Sequence, residues 1–164
     1  MEALQRHDFA TAEHEIGATV PRWMPKQLAH FLEYRLGQLA RDPTEREWLG
    51  RAMVLTDEVG KRHVLGSIGF HGRPDDNGRA EIGYGIDPRY RRQGLTTEAV
   101  RAMLDWAMSK HGITRFVASV APTNRASLAL IRRLGFQRVG EQMDEIDGLE
   151  YVFEASWPPA LREG

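Results

Sequence analysis

Asp87-Pro88-Arg89-Tyr90-Arg91-Arg92-Gln93-Gly94-Leu95-Thr96-Thr97-Glu98-Ala99 is the stretch on which the reading of this chain turns. Upstream, Ala80 to Ile86 alternates with the period of a strand, placing Ala80, Ile82, Tyr84 and Ile86 on one face and Glu81, Gly83 and Gly85 on the other. Downstream, Ala99, Val100, Met103, Leu104 and Ala107 recur at helical spacing, so a helix is expected from Thr97 to Lys110, ended by Gly112. The order is strand, polar loop with one glycine, helix start. Free N–H groups at a helix start, with its positive dipole end, attract phosphate, and a glycine lets the backbone come close to the anion. Arg89, Arg91, Arg92 and Gln93 crowd this loop. The residues alone fit an anion site or an ordinary connection with solvated arginines.

Beyond this helix, Thr114 to Val120 reads as a strand, so one helical crossover joins it in parallel to the strand before the loop. Asn124 caps the next helix, which carries Leu128, Leu130, Ile131 and Leu134 and ends at Gly135-Phe136 as a left-handed glycine cap with an apolar residue beyond. Phe136 to Met143 and Leu149 to Ser156 form a final hairpin around Glu145-Ile146-Asp147-Gly148, and Trp157-Pro158-Pro159 begins a frayed tail. On the N-terminal side, Ala52 to Thr56 and His63 to Phe70 extend an antiparallel meander. Before them come a short helix from Asp8 to Ile16 and an amphipathic helix from Lys26 to Ala40. A third starts at Asp42-Pro43-Thr44-Glu45, carrying Trp48 and Leu49. Gly83 and Gly85 weaken their strand unless something lies close to its backbone; a bulge or bend is the other reading. The fold class is α/β, in one domain spanning 1–164.

Length and composition agree with that. The chain has 164 residues, 41% hydrophobic and 27% charged, with a net charge of −1. No basic excess favours nucleic acid. Cysteine is absent, which removes thiol nucleophiles, disulfides and cysteine-ligated zinc. None of the histidines has metal-ligand spacing, so no metal is expected. Gly66-Ser67-Ile68-Gly69 is not a nucleophile elbow, and Gly83-Tyr84-Gly85 lies inside a strand with Pro88 where a dinucleotide-binding helix should start. There is no phosphate-binding Gly-Lys-Ser/Thr loop. No signal-peptide pattern or membrane-spanning apolar run is present, so a cytoplasmic protein without a membrane partner is expected.

Two separated segments carry a resemblance. Ile82-Gly83-Tyr84, Asp87-Pro88 and Arg91 to Ala99 form the first; Asn124-Arg125-Ala126-Ser127 with Leu134-Gly135-Phe136 forms the second. Together they resemble the acetyl-coenzyme A binding core of the GNAT family of N-acetyltransferases, and within it the RimJ/RimL-type branch. The resemblance implies a mixed, mostly antiparallel sheet with a central parallel strand pair splayed at the cofactor site, helices on both faces, and a cofactor-binding core at about 80–136. It implies acetyl-CoA as cosubstrate. Backbone groups of Ile86 and Asp87 would pair with the pantetheine arm. Amides from Arg91 through Thr96, including those of Gln93, Gly94 and Leu95, would wrap the pyrophosphate, with Arg91, Arg92 and Gln93 at its rim. Thr97 would add a hydroxyl, Asn124 would contact the arm, and Ser127 would bond the cofactor or protonate the departing thiolate.

Three positions depart from the family pattern. Thr96 stands where the loop usually has glycine or alanine. Ile131 stands where many members carry a tyrosine acid, leaving that role to Ser127 or solvent. Met1 to Asp8 lacks the family's opening strand. The implied reaction is acetyl transfer from acetyl-CoA to a primary amine by direct attack, with Glu81 as the base and a backbone N–H near Ile86 meeting the oxyanion. His71 and Tyr84 would contact substrate. The acceptor, a small molecule or a protein N-terminus, has no motif. The other reading is a CoA-binding sensor or interaction module without turnover. Sheet edges and the terminal hairpin would allow a homodimer.

Overall fold

The computed structural model describes residues 1–146 and 148–159. Four helices open the chain: α1 (Glu2–Gln5), α2 (Phe9–Ile16), α3 (Met24–Gln27) and α4 (Ala29–Arg41), followed by a 3₁₀ turn at Pro43–Glu47. Strands β1 (Arg51–Thr56), β2 (Arg62–Phe70) and β3 (Arg79–Ile86) come next, then α5 (Leu95–His111), β4 (Arg115–Val120), α6 (Arg125–Arg133), β5 (Gln137–Asp144) and β6 (Gly148–Ser156). The six strands form one sheet in the order β1-β2-β3-β4-β6-β5. Every neighbouring pair is antiparallel except β3 and β4, the pair joined through α5.

Local chemistry explains most boundaries. Asp8 caps α2 by accepting from Thr11 N, and Gly17 closes it in the left-handed conformation. Asp42 accepts from Thr44 N and so starts the 3₁₀ turn. At Gly135 (φ +92°), the chain turns out of α6 and the Phe136 N–H returns to the Ile131 carbonyl at 3.0 Å.

The core lies between the sheet and α5 and α6. Ala80, Phe116, Val100, Leu104 and Ala107 are all 0% exposed, which is the stripe expected of α5 meeting the apolar face of the central strands. Truncating Phe116 to alanine would cost roughly 3–5 kcal/mol. On the opposite face, α4 brings Phe31 against Gly50 and ties Arg35 Nη1 to the His71 carbonyl at 2.9 Å. Ala3, Ala12, Val20, Met24 and Val64 make a smaller cluster that seats the N-terminal helices.

The chain starts on a helix, Glu2–Gln5, in keeping with the missing opening strand, and the sheet begins at Arg51. Three expectations need correction. The helix expected to start at Asp42 and carry Trp48 and Leu49 is a 3₁₀ turn, Pro43–Glu47, that ends before both. The helix expected over Lys26 to Ala40 is two helices, because Leu28 (φ −95°, ψ 10°) ends α3 and precedes α4. Trp157 is not frayed: it is 7% exposed, its N–H reaches the Thr114 carbonyl, and its indole Nε1 donates to Asp105 Oδ1 at 2.6 Å. Its partner sits on α5, so nothing next to it in sequence announces the contact. Asp147 of the terminal turn and residues 160–164 lie outside the described residues.

Candidate active site

The parallel pairing of β3 and β4 holds only at Arg79↔Arg115, Ala80↔Phe116 and Glu81↔Val117. Above Glu81 the two strands part. The register of β3 against β2 decides what faces this gap. Asp87 N donates to Leu65 O and His71 N to Glu81 O, so the odd-numbered residues of β3 bond toward β2. In an antiparallel ladder the alternate residues point their N–H and C=O the other way. Tyr84 and Ile86 therefore turn unpaired backbone groups toward the gap. The Asp87 amide is not available to a ligand arm. Asp87 is instead a buried support: it accepts from Arg89 N and holds the Arg89 guanidinium at 2.7 Å. That ion pair keeps its carboxyl below the usual carboxylate range.

Past the gap the Arg91 N–H, expected at the pyrophosphate, is instead taken by the Pro88 carbonyl at 3.3 Å, and the loop bends beyond it. Arg92 (φ +62°) and Gly94 (φ +81°) are both left-handed, and no side chain caps the start of α5. A non-glycine residue in this region costs of order 1 kcal/mol and persists only where the surroundings require it. The first bond into α5 is Glu98 N to Gly94 O at 3.0 Å, which leaves the Leu95, Thr96 and Thr97 amides at the helix mouth without intrahelical partners. A cavity of about 810 Å³ opens there, lined among others by Ile86, Arg91, Arg92, Gly94, Thr96 and Thr97. Leu95 lines it too; Gln93 does not, and its side chain turns back to the Arg89 carbonyl at 3.4 Å. Arg133, from the last turn of α6, also lines this cavity and donates to Thr97 Oγ1 at 3.3 Å. Sequence reading missed Arg133. Its only trace there is the basic pair Arg132-Arg133 ahead of Leu134-Gly135-Phe136.

A second cavity, about 430 Å³, lies on the Gly83–Gly85 side of the sheet. Tyr84, Gly85, Asn124 and Ser127 line both cavities, so the two meet where the strands separate. Asn124 Oδ1 accepts Ser127 N and caps α6, which fixes the side chain at this junction. The Tyr84 hydroxyl is buried without a hydrogen bond of good geometry. Burial pushes its pKa above 10.0, and the neighbouring Ser127 hydroxyl acts in the opposite direction. The phenol is thus a protonated donor at neutral pH. Ile131 is 0% exposed in the core and takes no part.

The second cavity has a polar floor. Glu81 Oε1 accepts from Ser119 Oγ at 2.6 Å and lies 3.6 Å from His71 Nδ1. Gln142 Nε2 bridges Ser119 Oγ at 3.2 Å and Glu150 Oε2 at 3.1 Å. His71, Ser119 and Glu150 line the cavity; Glu81 stands behind them. Gly83 makes this possible, since a Cβ there would sit 2.6 Å from His71 Nε2. The β2–β3 register runs unbroken through Gly83 and Gly85, so the glycines mark close approach and open space rather than a bulge.

A mostly antiparallel sheet, one parallel pair that splays, and an uncapped helix mouth at the splay narrow the choice of fold family. The model of the acetyltransferase (GNAT) domain matches residues 1–137.

The chain belongs to the GNAT acetyltransferase domain family.

The uncharacterized N-acetyltransferase p20 of Bacillus licheniformis is 36% identical to this GNAT domain over 103 residues, 63% of this chain and 57% of that protein. The uncharacterized N-acetyltransferase YjdG of Bacillus subtilis (strain 168) is 36% identical over 73 residues, 44% of each chain. The chain spans about half the length of the curated relatives it matches. Among solved structures, the ribosomal-protein-S5-alanine acetyltransferase from Vibrio fischeri gives a TM-score of 0.56 at 17% identity, covering 80% of this chain and 72% of that one, a likeness of fold. The GNAT fold uses acetyl-CoA. The features of this GNAT domain fit such a ligand: cationic walls, free amides for a pyrophosphate, and an unpaired strand edge for an amide-bearing arm. Among the described residues there is no metal-ligand cluster, and no helix is long and apolar enough to cross a membrane.

Proposed function

We propose that this chain transfers an acetyl group from acetyl-CoA to a primary amine by direct attack. The observation that carries the reading is the junction of the two cavities at Tyr84, Gly85, Asn124 and Ser127. One cavity suits the cofactor and the other an acceptor, and they touch only where strand pairing fails.

Acetyl-CoA supplies the activated thioester. Arg91, Arg92, Arg133 and the amides at the mouth of α5 hold the phosphates. The Tyr84 and Ile86 backbone groups and the Asn124 side-chain amide hold the arm. The Ile86 N–H stabilises developing negative charge on the carbonyl oxygen. Glu81 orients His71 through Nδ1, and His71 lines the acceptor cavity. In the balanced step, an ammonium loses its proton to the His71–Glu81 pair, its nitrogen bonds the acetyl carbon, and the carbon–sulfur bond breaks. The thiolate takes a proton from Tyr84 or Ser127, and the second proton that the nitrogen sheds as the amide forms restores that hydroxyl. Glu81 therefore acts through His71 rather than touching the amine.

We place the protein in the cytoplasm and expect no nucleic-acid partner, in keeping with the net charge of −1. A homodimer through an edge strand, β1 or β5 of the terminal hairpin, is the pairing this sheet order offers. The test is thiol release from acetyl-CoA across a broad amine panel. Release that depends on amine supports the enzyme. Saturable CoA binding with no release for any amine supports the sensor reading instead, and no CoA binding removes both.

A further inference from the structure

Among the described residues, Arg35 is the one buried cation. It projects from α4, is 6% exposed, and lines the acceptor cavity. Other arginines near a site here have a carboxylate partner or open solvent. Arg35 forms no ion pair among the described residues. Its hydrogen bonds run through Nη1 alone, to Gln38 Oε1 at 2.6 Å and to the His71 carbonyl at 2.9 Å. Its Nε is buried with no acceptor. The Phe31 and Tyr34 rings lie 5.3 and 5.4 Å from the guanidinium carbon and help keep water away.

The bonds to Gln38 and His71 anchor α4, but a neutral amide could make them. A buried guanidinium is unfavourable unless an anion or a set of carbonyl oxygens meets its remaining donors. Burial lowers its pKa, and the carboxylates of Glu45 and Glu81 only partly oppose this from a distance. Arg35 presents a fork suited to a carboxylate or to carbonyl oxygens. The same cavity is lined by Glu150 and by His71, which Glu81 backs at 3.6 Å, and these suit an amine. The cavity is thus bipolar.

We propose that Arg35 is the acceptor anchor, and that the acceptor is an amine with a carboxylate or carbonyl oxygen close to it, as in an α-amino acid or the first residue of a peptide. This rests on the acetyl-transfer reading. A plain alkyl amine or polyamine would leave Arg35 unmatched and be a poor substrate.

The test uses the full chain and matched acceptors: leucine, leucinamide, a leucyl dipeptide and isopentylamine, with the phenylalanine, phenylalaninamide and phenethylamine series beside them. Thiol release gives kcat/KM for each. The oxygen-bearing acceptors should exceed the decarboxylated amines by at least about tenfold. Preference for the free acid over amide and dipeptide assigns Arg35 to a carboxylate, and the reverse assigns it to a peptide carbonyl. Arg35→Met should collapse the preference toward unity with CoA affinity unchanged, and Arg35→Lys should retain part of it. Equal use of decarboxylated amines by the unaltered protein overturns the proposal without any variant, as does an Arg35→Met protein that lowers all acceptors alike. Absence of thiol release with every amine is a different failure, since it removes the acetyl-transfer reading itself and this inference with it.

Discussion

Replacing Gly83 by alanine tests how the acceptor side is built. The added Cβ would lie 2.6 Å from His71 Nε2 and 3.2 Å from its Cδ2. Ordinary carbon contacts need about 3.5–4.0 Å, so one partner must retreat by ~1 Å. The strand cannot easily do so, because Gly83 pairs with Gly69 inside an unbroken register. The His71 ring can, since its side chain is 48% exposed. The stability cost should therefore fall below the roughly 1–3 kcal/mol typical of overpacking a closed core. Melting should shift by no more than about 2–4 °C. Moving the ring carries Nδ1 away from Glu81, now at 3.6 Å. Misplacing a catalytic group by ~1 Å can cost as much as 10²-fold. We expect kcat/KM for the amine to fall roughly 10- to 100-fold while the calorimetric Kd for CoA stays put. Full activity in Gly83→Ala, with the ring shown to have moved by histidine NMR, would refute a role for His71 in proton transfer. A loss of stability well beyond 3 kcal/mol would refute the claim that the ring is the yielding partner.

Three other outcomes follow from the same geometry. Tyr84→Phe removes a buried hydroxyl that lacks a good partner, so thermal unfolding should show equal or slightly higher stability, by up to about 1 kcal/mol. Thiol release should fall ~10-fold or more if the phenol is the acid; an unchanged kcat would leave Ser127 as the donor. Arg133→Gln takes one cation from the phosphate cavity. CoA affinity should weaken several-fold and the salt dependence of Kd should become shallower; an identical salt dependence would remove Arg133 from the clamp. Asp87→Asn breaks the pair with Arg89, and denaturant melts should show a loss of about 1–3 kcal/mol at neutral pH. Since the folded pKa of Asp87 is lowered, the pair stabilises above the unfolded value of about 3.9 and that contribution is lost as pH falls through the folded value. The difference between the two proteins should therefore shrink in acid, and a difference independent of pH would contradict the assignment.

What could be read from the sequence was what local pattern encodes. The alternation of Ala80 to Ile86, the stripe through Val100, Leu104 and Ala107, and the cap at Asn124 each announce an element within a few residues. The loop at Arg91 to Thr97 could be read because free amides at a helix start are a property of the helix end itself. Contacts closed over long separations were not legible. Trp157 looked like tail because its partner, Asp105, lies on α5. Arg133 gave no sign of facing Thr97 until α6 was laid beside α5. Glu81 was placed on the correct strand face, yet Ser119 and His71, on two other strands or their ends, hold it back from the cavity. The Asp87 amide looked available because strand register, which assigns it to Leu65, depends on pairing that the sequence does not state. Arg35 falls at helical spacing inside the stripe of Leu28, Phe31, Leu32, Leu36 and Leu39, so its burial has a trace in the sequence, but what it meets there depends on His71, 36 residues away.

The central claim is that the mouth of α5 and the β3–β4 gap bind coenzyme A. Calorimetric titration of the full chain with CoA tests it most directly, at low and at moderate salt. The account predicts one saturable site whose affinity drops with salt and drops again, without loss of fold, when Arg91, Arg92 and Arg133 are together replaced by glutamine. No binding heat at either salt, or an affinity untouched by that triple replacement, would contradict it.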